Sequence, residues 1–366
     1  MSPLDSNQSA VIIGGGVGGL AAAIALREQG LQVQVFEHRT PRARGAGLVL
    51  WPNASPILDR LGVQLPAGPP LTRMRRRTDR GEPLCTIPLD RLYARMGATS
   101  RPTLHAELLE VLRARARAVG VALHLGSAAA AVTTRGDQAV AHIEGIGEIA
   151  ADLLVGADGR MASVCRRYVM GANRPHYAGY VNWVGVLPPD TGLTLHPTTI
   201  EDFWGPGARF GVVPLPTGGA YWAACVRMDE RAARRAPAQP PSLFARWPAP
   251  VPQVLQHTPP DRVRPIAVYD HAPARGWSRG RVVLLGDAAH AALPTSMVPP
   301  TTVPAAAPTR PPRTAAVIPV KPKSTSRTWI WSPSTAATSA CPPAAIPAIP
   351  RCCAARSARP IRMAFS

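Results

Sequence analysis

Hydrophobic and polar positions near the start of the chain follow two different periods. Residues 11–13 form a continuous apolar, β-branched run, which predicts a strand buried on both faces. After several glycines, apolar residues recur at helical spacing as far as Gly30, which predicts a helix that ends there. Residues 32–36 predict a second strand. The order strand, turn, helix, strand is typical of a parallel sheet with crossover helices.

The rest of the chain alternates between this pattern and a second kind of sheet. Residues 101–119 carry apolar side chains on one helical face, and the apolar runs within 150–160 and 282–285 predict further buried strands. Residues 177–188 and 203–226 instead predict longer strands that are rich in aromatic residues. We therefore expect an α/β protein: a Rossmann-like domain completed by a late strand, with an α+β domain that carries an antiparallel sheet.

Charge first suggests a different class of protein. The 366 residues include 41 Lys and Arg against 22 Asp and Glu, a net charge of +19, which is typical of nucleic-acid-binding proteins. However, residues 296–366 hold nine of these basic residues and no acidic one. The scattered arginines, such as Arg73, Arg75, Arg76 and Arg77, form either a solvated face or a guide for an anionic cofactor. We therefore expect no nucleic-acid partner.

Cysteine usage and hydropathy bear on metal binding, disulfides and cellular location. The six cysteines show neither metal-ligand spacing nor a disulfide framework, so we expect no metal. The first residues lack the features of a signal peptide, and no apolar stretch is long enough to span a bilayer. The sequence predicts a cytoplasmic protein and leaves its oligomeric state open.

The glycines after the first strand carry candidate chemistry. Gly14, Gly16 and Gly19 fit G-x-G-x-x-G, a turn that brings backbone N–H groups and a helix N-terminus to a diphosphate. Glu37 ends the second strand, where its carboxylate can accept hydrogen bonds from a ribose diol. The combination predicts a dinucleotide site. It leaves NAD, NADP and FAD open, and Glu37 argues only against a 2′-phosphate at this position.

Two Asp-Gly or Gly-Asp pairs follow later apolar runs. Asp158 and Gly159 form a turn that opens a helix. Gly286 and Asp287 end the last predicted strand, which can return beside the first one. Asp287 would then lie at the carboxyl edge of the sheet, where it could bind the polyhydroxy chain of a flavin or act as a helix N-cap.

With these motifs in order, the sequence resembles the class A FAD-dependent monooxygenases, the aromatic hydroxylases of the p-hydroxybenzoate hydroxylase type. The likeness extends over residues 8–295 and includes Arg44-Gly45-x-Gly47 and Arg101-x-x-Leu104. It implies a FAD-binding domain of the glutathione-reductase type. It also implies flavin reduction by NADH or NADPH, reaction with O2, and hydroxylation of a small, usually aromatic substrate.

The resemblance assigns a role to each cofactor-binding candidate. Glu37 would hold the adenosine ribose, Asp287 the ribityl chain and Arg101 the region of the flavin side chain. Asp158 would serve both FAD and NAD(P)H. From the residues alone, Arg44 either holds a phosphate or the cofactor's sugar edge or is a surface arginine. The full set of cofactor-binding candidates is Gly14, Gly16, Gly19, Glu37, Arg44, Arg101, Asp158 and Asp287.

The resemblance also divides the chain. Residues 1–170 would form the first part of the FAD-binding domain, 171–261 the substrate-binding domain, and 262–295 the return segment of the FAD-binding domain. Residues 296–366 would form a disordered tail, because 14 of these 71 residues are proline and none is glycine or leucine.

Substrate-pocket and catalytic residues are harder to assign. Trp183, Trp204, Phe210 and Tyr221 are pocket candidates, although aromatic residues on alternating strands more often belong to a core. His290 is a tempting general base, but in the family pattern it belongs to the packing after the strand. The catalytic residue therefore stays unassigned.

The chain departs from the family after Pro294. Where the family continues with a glycine-rich turn and a helix, this chain continues with proline and alanine, which suggests a shift of reading frame. If the codons of Arg310 and Arg313 are AGR and the frame moves back one base, residues 307–315 can encode Ala-Asn-Gln-Ala-Ala-Glu-Asp-Gly, which resembles the missing helix. We therefore expect this chain to be impaired as an enzyme; a genuine disordered basic tail is the other interpretation.

Two further functions stay open at this point. Another FAD-dependent oxidoreductase of the same fold would share the motifs but form no hydroxylated product. A non-catalytic nucleic-acid-binding protein would depend on the basic tail, and its binding would fall steeply with salt. The order of the motifs favours the monooxygenase.

Overall fold

The structure, a computed structural model, describes residues 8–40, 46–274 and 276–291. Its strands are β1 (Ser9–Ile13), β2 (Gln32–Glu37), β3 (Gly47–Leu50), β4 (Arg73–Thr78), β5 (Pro83–Pro88), β6 (Arg101–Leu104), β7 (Ala122–Leu125), β8 (Ala129–Arg135), β9 (Gln138–Ile143), β10 (Gly147–Ala151), β11 (Leu153–Gly156), β12 (His176–Leu187), β13 (Thr199–Gly205), β14 (Ala208–Pro214), β15 (Ala220–Arg227), β16 (Val263–Asp270), β17 (Ser278–Arg279) and β18 (Val282–Leu284). Its α-helices are α1 (Val17–Glu28), α2 (Ser55–Arg60), α3 (Asp90–Met96), α4 (His105–Ala118), α5 (Val164–Met170), α6 (Glu230–Ala233), α7 (Val251–Gln256) and α8 (Asp287–His290), and short 3₁₀ helices cover Ser242–Arg246 and Pro260–Arg262.

The first sheet has six strands in the order β17-β18-β11-β1-β2-β7, and all neighbours except β17 and β18 run parallel. Because β1 is central and both of its faces are covered, its residues form a continuous apolar run. Ala10 and Ile12 belong to the core beneath α1 and α4. Val11 and Ile13 belong to the core shared with β8 and β9 of a three-stranded antiparallel sheet. The predicted Rossmann-like fold is confirmed.

The second large sheet has seven strands in the order β16-β12-β15-β14-β13-β4-β5, and all neighbours except β13 and β4 run antiparallel. Its outer face, which carries Trp183 and Phe210, is covered by Phe244 and the residues around α7. Its inner face, which carries Tyr221, packs against residues near β3 and β6. The predicted antiparallel sheet of the α+β part is confirmed.

Sheet membership departs from the predicted division of the chain in two places. Strands β4 and β5 belong to the seven-stranded sheet although they lie within residues 1–170. Strand β16 forms the opposite edge of that sheet although it follows residue 261. No hydrophobic period marks β4, because its arginines pair with acidic residues of β13 that lie 126 positions away in sequence.

The helix predicted over residues 101–119 is wrong at its start. Residues Arg101–Leu104 form β6, which pairs antiparallel with β3, and α4 begins only at His105. Arg101 precedes Pro102, and a residue before proline is pushed towards extended backbone by the proline ring. The amphipathic period that follows is confirmed, because Leu108 and Leu112 are fully buried beneath it.

Candidate functional site

Four neighbouring strands of the six-stranded sheet lead to predicted cofactor residues. In the sheet order β18, β11, β1 and β2, the residues at or just after the strand ends are Asp287, Asp158, Gly14 and Glu37. These strands run parallel, so their carboxyl ends lie along one edge of the sheet. Ligands of open α/β sheets bind outside this edge.

The three glycines of the turn differ in what surrounds them. Gly14 has φ +108°, and a Cβ there would lie 2.2 Å from the carbonyl oxygen of Ala157. A Cβ on Gly19 would lie 1.9 Å from the carbonyl oxygen of Gly14. By contrast, a Cβ on Gly16 would meet no atom of the described residues within 4 Å. Gly14 and Gly19 therefore serve close packing, whereas Gly16 borders open space before the N-terminus of α1.

Glu37 lies directly against this turn. Its Oε2 accepts a hydrogen bond from the backbone N–H of Gly15 at 2.7 Å, and its Oε1 accepts one from the N–H of Arg39 at 2.8 Å. The side chain is 12% exposed. The carboxylate is thus fixed beside the glycine turn, and its contact with a ribose stays a prediction.

Asp158 organises the turn that leads into α5. Its Oδ1 accepts from the hydroxyl of Ser163 at 2.5 Å, and its Oδ2 accepts from the backbone N–H of Cys165 at 3.1 Å. Burial and the neighbouring carboxylate raise the pKa of the Cys165 thiol well above its usual value. Asp158 therefore has a structural role in this turn, and its contact with a dinucleotide stays a prediction.

Asp287 is the first residue of α8, not its N-cap. The N-cap is Gly286, and no side-chain hydrogen bond caps the helix. The Asp287 carboxylate is half exposed, and its Oδ2 accepts a hydrogen bond from Nη1 of Arg160 at 2.8 Å. Arg166, from α5, donates to the carbonyl oxygens of Ala288 and Ala289, both at 2.9 Å. This buried arginine holds the motif in place and leaves the Asp287 carboxylate facing outward.

Two arginines complete the predicted cofactor set. Arg101 makes a bidentate ion pair with Asp59 of α2, in which both nitrogen–oxygen distances are 2.8 Å. The guanidinium is therefore oriented by the protein, and its contact with a flavin stays a prediction. Arg44 lies outside the described residues.

The inner face of the seven-stranded sheet holds a charged cluster that the sequence did not reveal. Asp202 accepts from Nε of Arg209 at 2.6 Å and from Nη2 of the same residue at 2.8 Å. It also accepts from Arg76 at 3.2 Å and from the indole N–H of Trp204 at 2.8 Å. Both guanidiniums lie over the Trp204 ring. Two cations and one carboxylate leave this cluster with one net positive charge.

Two buried groups on this face of the sheet have unused hydrogen-bonding capacity. Nη1 of Arg209 and the hydroxyl of Tyr180 are buried, and neither has a hydrogen-bond partner among the described residues. Both residues are 2% exposed. Burial raises the pKa of the Tyr180 hydroxyl, so it remains a donor at neutral pH. A buried polar group without a partner is costly, so such groups commonly mark ligand or water positions.

The four aromatic pocket candidates do not line one surface, which corrects the prediction that grouped them. Trp183 and Phe210 are fully buried in the core of the outer face, and the Trp183 indole donates to the carbonyl oxygen of Pro237. Tyr221 and Trp204 lie on the inner face. Successive side chains of a strand point to opposite faces, so the aromatic pattern alone could not separate the two pairs.

The arginines of β4 are likewise divided between the faces. Arg76 joins Asp202 on the inner face, whereas Arg75 and Arg77 approach Glu201, which lies on the outer one. These three arginines therefore do not form one solvated face, and the alternative, a guide for an anionic cofactor, stays a prediction. Glu201 and Asp202 precede residue 203, where the predicted strand begins, so no sequence pattern indicated this pairing.

Other candidate chemistry is limited in the part of the chain that the structure describes. The ring of His290 packs on Trp277, with centroids 5.0 Å apart, which agrees with a packing role. No group of three or more potential metal ligands occurs in the described ranges. No helix among the described residues has the length and hydropathy required to cross a membrane.

Comparison with known proteins places this geometry in a family. A family model described as "FAD binding domain" matches residues 7–298. The chain is 34% identical over 291 residues to an aurachin C monooxygenase/isomerase from Stigmatella aurantiaca, covering 78% of this chain and 74% of the relative. It is also 34% identical over 304 residues to a 3-amino-4-hydroxybenzoate 2-monooxygenase from Streptomyces cremeus, covering 80% and 74%.

A solved structure supports the same assignment. Klebsiella pneumoniae HpxO complexed with FAD and uric acid has a TM-score of 0.68 and 31% identity, and the match covers 77% of this chain and 73% of that one. The family model spans both parts of the six-stranded sheet, including the glycine turn and Asp287. The chain therefore belongs to the FAD binding domain family, and it is a member of the FAD-dependent aromatic monooxygenases within it.

Proposed function

We propose that this protein is an NAD(P)H-dependent FAD hydroxylase whose substrate is a small aromatic ring with an acidic oxygen. The observation that carries the substrate class is the pair of unpartnered donors, Arg209 Nη1 and the Tyr180 hydroxyl, beside a cluster of net positive charge. The relatives named for urate and for 3-amino-4-hydroxybenzoate support this class, because both compounds are electron-rich rings with acidic oxygens.

The cofactor fits the edge of the six-stranded sheet. The open space at Gly16 accepts a diphosphate, and the fixed carboxylate of Glu37 accepts hydrogen bonds from the adjacent ribose. Asp287 accepts from the ribityl chain, and Arg160 then shares or leaves that carboxylate. When bound, FAD supplies hydride acceptance from the nicotinamide and reaction with O2.

The inner face positions and activates the substrate. Both carboxylate oxygens of Asp202 accept hydrogen bonds from the Arg209 guanidinium. The orientation of Nη1 is therefore fixed before the substrate binds, and binding costs no further side-chain entropy there. A substrate oxygen that accepts from Nη1 and from Tyr180 is stabilised as its anion. An aromatic ring with a deprotonated oxygen is richer in electrons and receives an electrophilic oxygen more readily. The buried surroundings exclude water from this step.

The proposal also covers the cellular location of the protein and the absence of a nucleic-acid partner. We infer a reducing, cytoplasmic location, which the buried thiols of Cys165 and Cys225 support because neither forms a disulfide. We also infer that no nucleic acid is bound, since Arg75, Arg76 and Arg77 approach carboxylates of the same chain.

A conservative variant tests the substrate site. Tyr180→Phe removes a hydroxyl that has no hydrogen-bond partner among the described residues, so we expect little change in stability but a rise in KM of about 5- to 10-fold for a phenolic substrate. Tyr177→Phe is the matched control. Tyr177 lies on the same strand as Tyr180 but packs against the core of the outer face, and its hydroxyl donates to the carbonyl oxygen of Met228. The control should lose stability and keep KM.

Because we expect the chain as given to be impaired, parent and variants are assayed in the version with the reading frame moved back one base after codon 295. The readout is the substrate-stimulated oxidation of NAD(P)H together with the hydroxylated product. A screen of phenols, hydroxybenzoates and purinones identifies the substrate on which KM is measured. An unchanged KM in Tyr180→Phe, with stability also unchanged, overturns the substrate site. Oxidation of NAD(P)H that yields only hydrogen peroxide with every ring tested overturns the proposed hydroxylation.

A further inference from the structure

A second cleft lies on the outer face of the seven-stranded sheet, across the sheet from Arg209. It has a volume of about 270 Å³ and is bordered by strands β4, β13 and β14, the loop at residues 193–196 and the start of α7. Its position separates it from the sheet edge that carries the glycine turn. Nothing in the proposed hydroxylase reaction uses it.

Three buried polar atoms of this cleft have no hydrogen-bond partner among the described residues: Thr199 Oγ1, Glu201 Oε2 and Gln253 Oε1. Thr199 is 2% exposed and Glu201 is 7% exposed. The other oxygen of Glu201 accepts from Arg75 Nε at 2.8 Å. Its free oxygen lies 3.9 Å from Arg77 Nε, which is too far for a hydrogen bond. Leaving several buried oxygens without hydrogen bonds is costly, so the cleft favours a ligand that donates hydrogen bonds.

Charge and shape restrict the occupant further. Arg75 and Arg77 line the cleft with side chains 37% and 29% exposed, so two cations stand beside the one buried carboxylate. The remaining walls are largely apolar and include Leu193, Val212 and Pro250. Apolar walls with a few convergent polar groups are the usual pattern of a ligand pocket. The volume corresponds to roughly nine water molecules, which limits the ligand to a small molecule.

We propose that this cleft binds a small organic acid with an apolar body and a hydroxyl or amino group beside its carboxylate. The carboxylate pairs with Arg77, and the hydroxyl or amino group donates to Glu201 Oε2 or to Gln253 Oε1. Thr199 can both donate and accept, so it completes the contacts at the floor. The apolar body packs on Leu193 and Val212.

Three probes separate the parts of this recognition. The full chain is titrated calorimetrically with 2-hydroxyisocaproate, with isocaproate, which lacks the donor, and with 2-hydroxyisocaproamide, which lacks the charge. All three are aliphatic, so they are poor mimics of a ring at the inner face. We expect the hydroxy acid to bind at one site per chain, and each altered probe to bind at least about tenfold more weakly.

Two variants locate the binding. Thr199→Val and Gln253→Leu each remove a polar atom without a hydrogen-bond partner in the described part of the chain, so both should fold with unchanged or higher stability. At least one of the two variants should weaken binding of the hydroxy acid by at least about fivefold. Thr133→Val is the matched control, because it makes the same change on a strand of another sheet and should leave binding unchanged.

The proposal is independent of the flavin site, and the titration keeps the two apart. FAD affinity is measured on the same samples and should not change in Thr199→Val or Gln253→Leu. Absence of binding at about 10 mM hydroxy acid means that the cleft holds water only, and this overturns the proposal. Binding that survives both variants, or that Tyr180→Phe abolishes, also overturns it.

Discussion

Replacing Gly16 with valine separates cofactor binding from folding. Gly16 has φ −76° as the N-cap of α1, so a side chain causes no backbone strain, and its Cβ meets no protein atom within 4 Å. Valine is a poorer N-cap than glycine, which costs about 0.5–1 kcal/mol of stability. The same side chain would fill the space that we propose for the diphosphate. Loss of one charge-assisted hydrogen bond there costs about 1.5–3 kcal/mol, or roughly 10- to 150-fold in Kd for FAD.

The assay is a fluorescence titration of the apoprotein with FAD, together with thermal unfolding in the absence of FAD. Gly18→Ala is the control in the same turn, since its Cβ meets only the Leu285 side chain at 3.5 Å, an ordinary contact. The control should bind FAD like the parent. Equal FAD affinity in Gly16→Val and the parent would refute the assignment of the diphosphate to this turn.

Three further perturbations test separate parts of the account. In Gly19→Ala the new Cβ lies 1.9 Å from the carbonyl oxygen of Gly14. We therefore expect the free energy of unfolding to fall by roughly 1–3 kcal/mol and Tm to fall by about 2–12 °C without FAD. An unchanged Tm contradicts the packing role. Asp287→Ala should weaken FAD binding by about tenfold or more. The control Glu148→Gln also breaks an ion pair of a half-exposed carboxylate and should leave FAD binding unchanged. Equal effects of the two variants in a titration argue against the ribityl contact. Burial raises the pKa of the Cys165 thiol and raises that of Cys225 to about 12, so both stay protonated in the native state while the unfolded chain ionises near pH 8.5. Stability should therefore be complete below that pH and fall by about 1 kcal/mol per thiol by pH 9.5 in urea unfolding, with a shallower slope in Cys165→Ala and Cys225→Ala; equal slopes contradict this cause.

The nucleotide-binding edge could be predicted from sequence because its determinants are local. The glycine turn lies between two recognisable elements, and Gly14 and Gly19 are required by contacts within the same unit. Glu37 and Asp287 each follow an apolar strand, so the parallel order of the sheet brings them to one edge. Their direct contacts with the cofactor stay predictions.

The inner face could not be predicted because long-range pairing creates it. Arg76 and Asp202 meet only because β4 pairs with β13, and β4 itself has no apolar period. The face to which each aromatic residue points depends on strand register, which separated Trp183 from Tyr221. Arg101 lies on β6 and not on α4, because a residue before proline favours extended backbone and the amphipathic period begins only at His105.

The fate of the O2 oxygen atoms tests most directly whether this protein is a FAD-dependent hydroxylase that its altered C-terminus impairs. The printed chain and a version with the reading frame moved back one base after codon 295 are compared for bound flavin and for turnover under ¹⁸O2 with NAD(P)H and an aromatic substrate. Sequencing of the DNA across codons 290–320 first shows whether that second frame encodes the missing helix. We predict that the restored version retains FAD and places one labelled oxygen in the product, and that the printed chain turns over little or not at all. Retained FAD in the restored version with labelled hydrogen peroxide as the sole oxygen product would contradict the account.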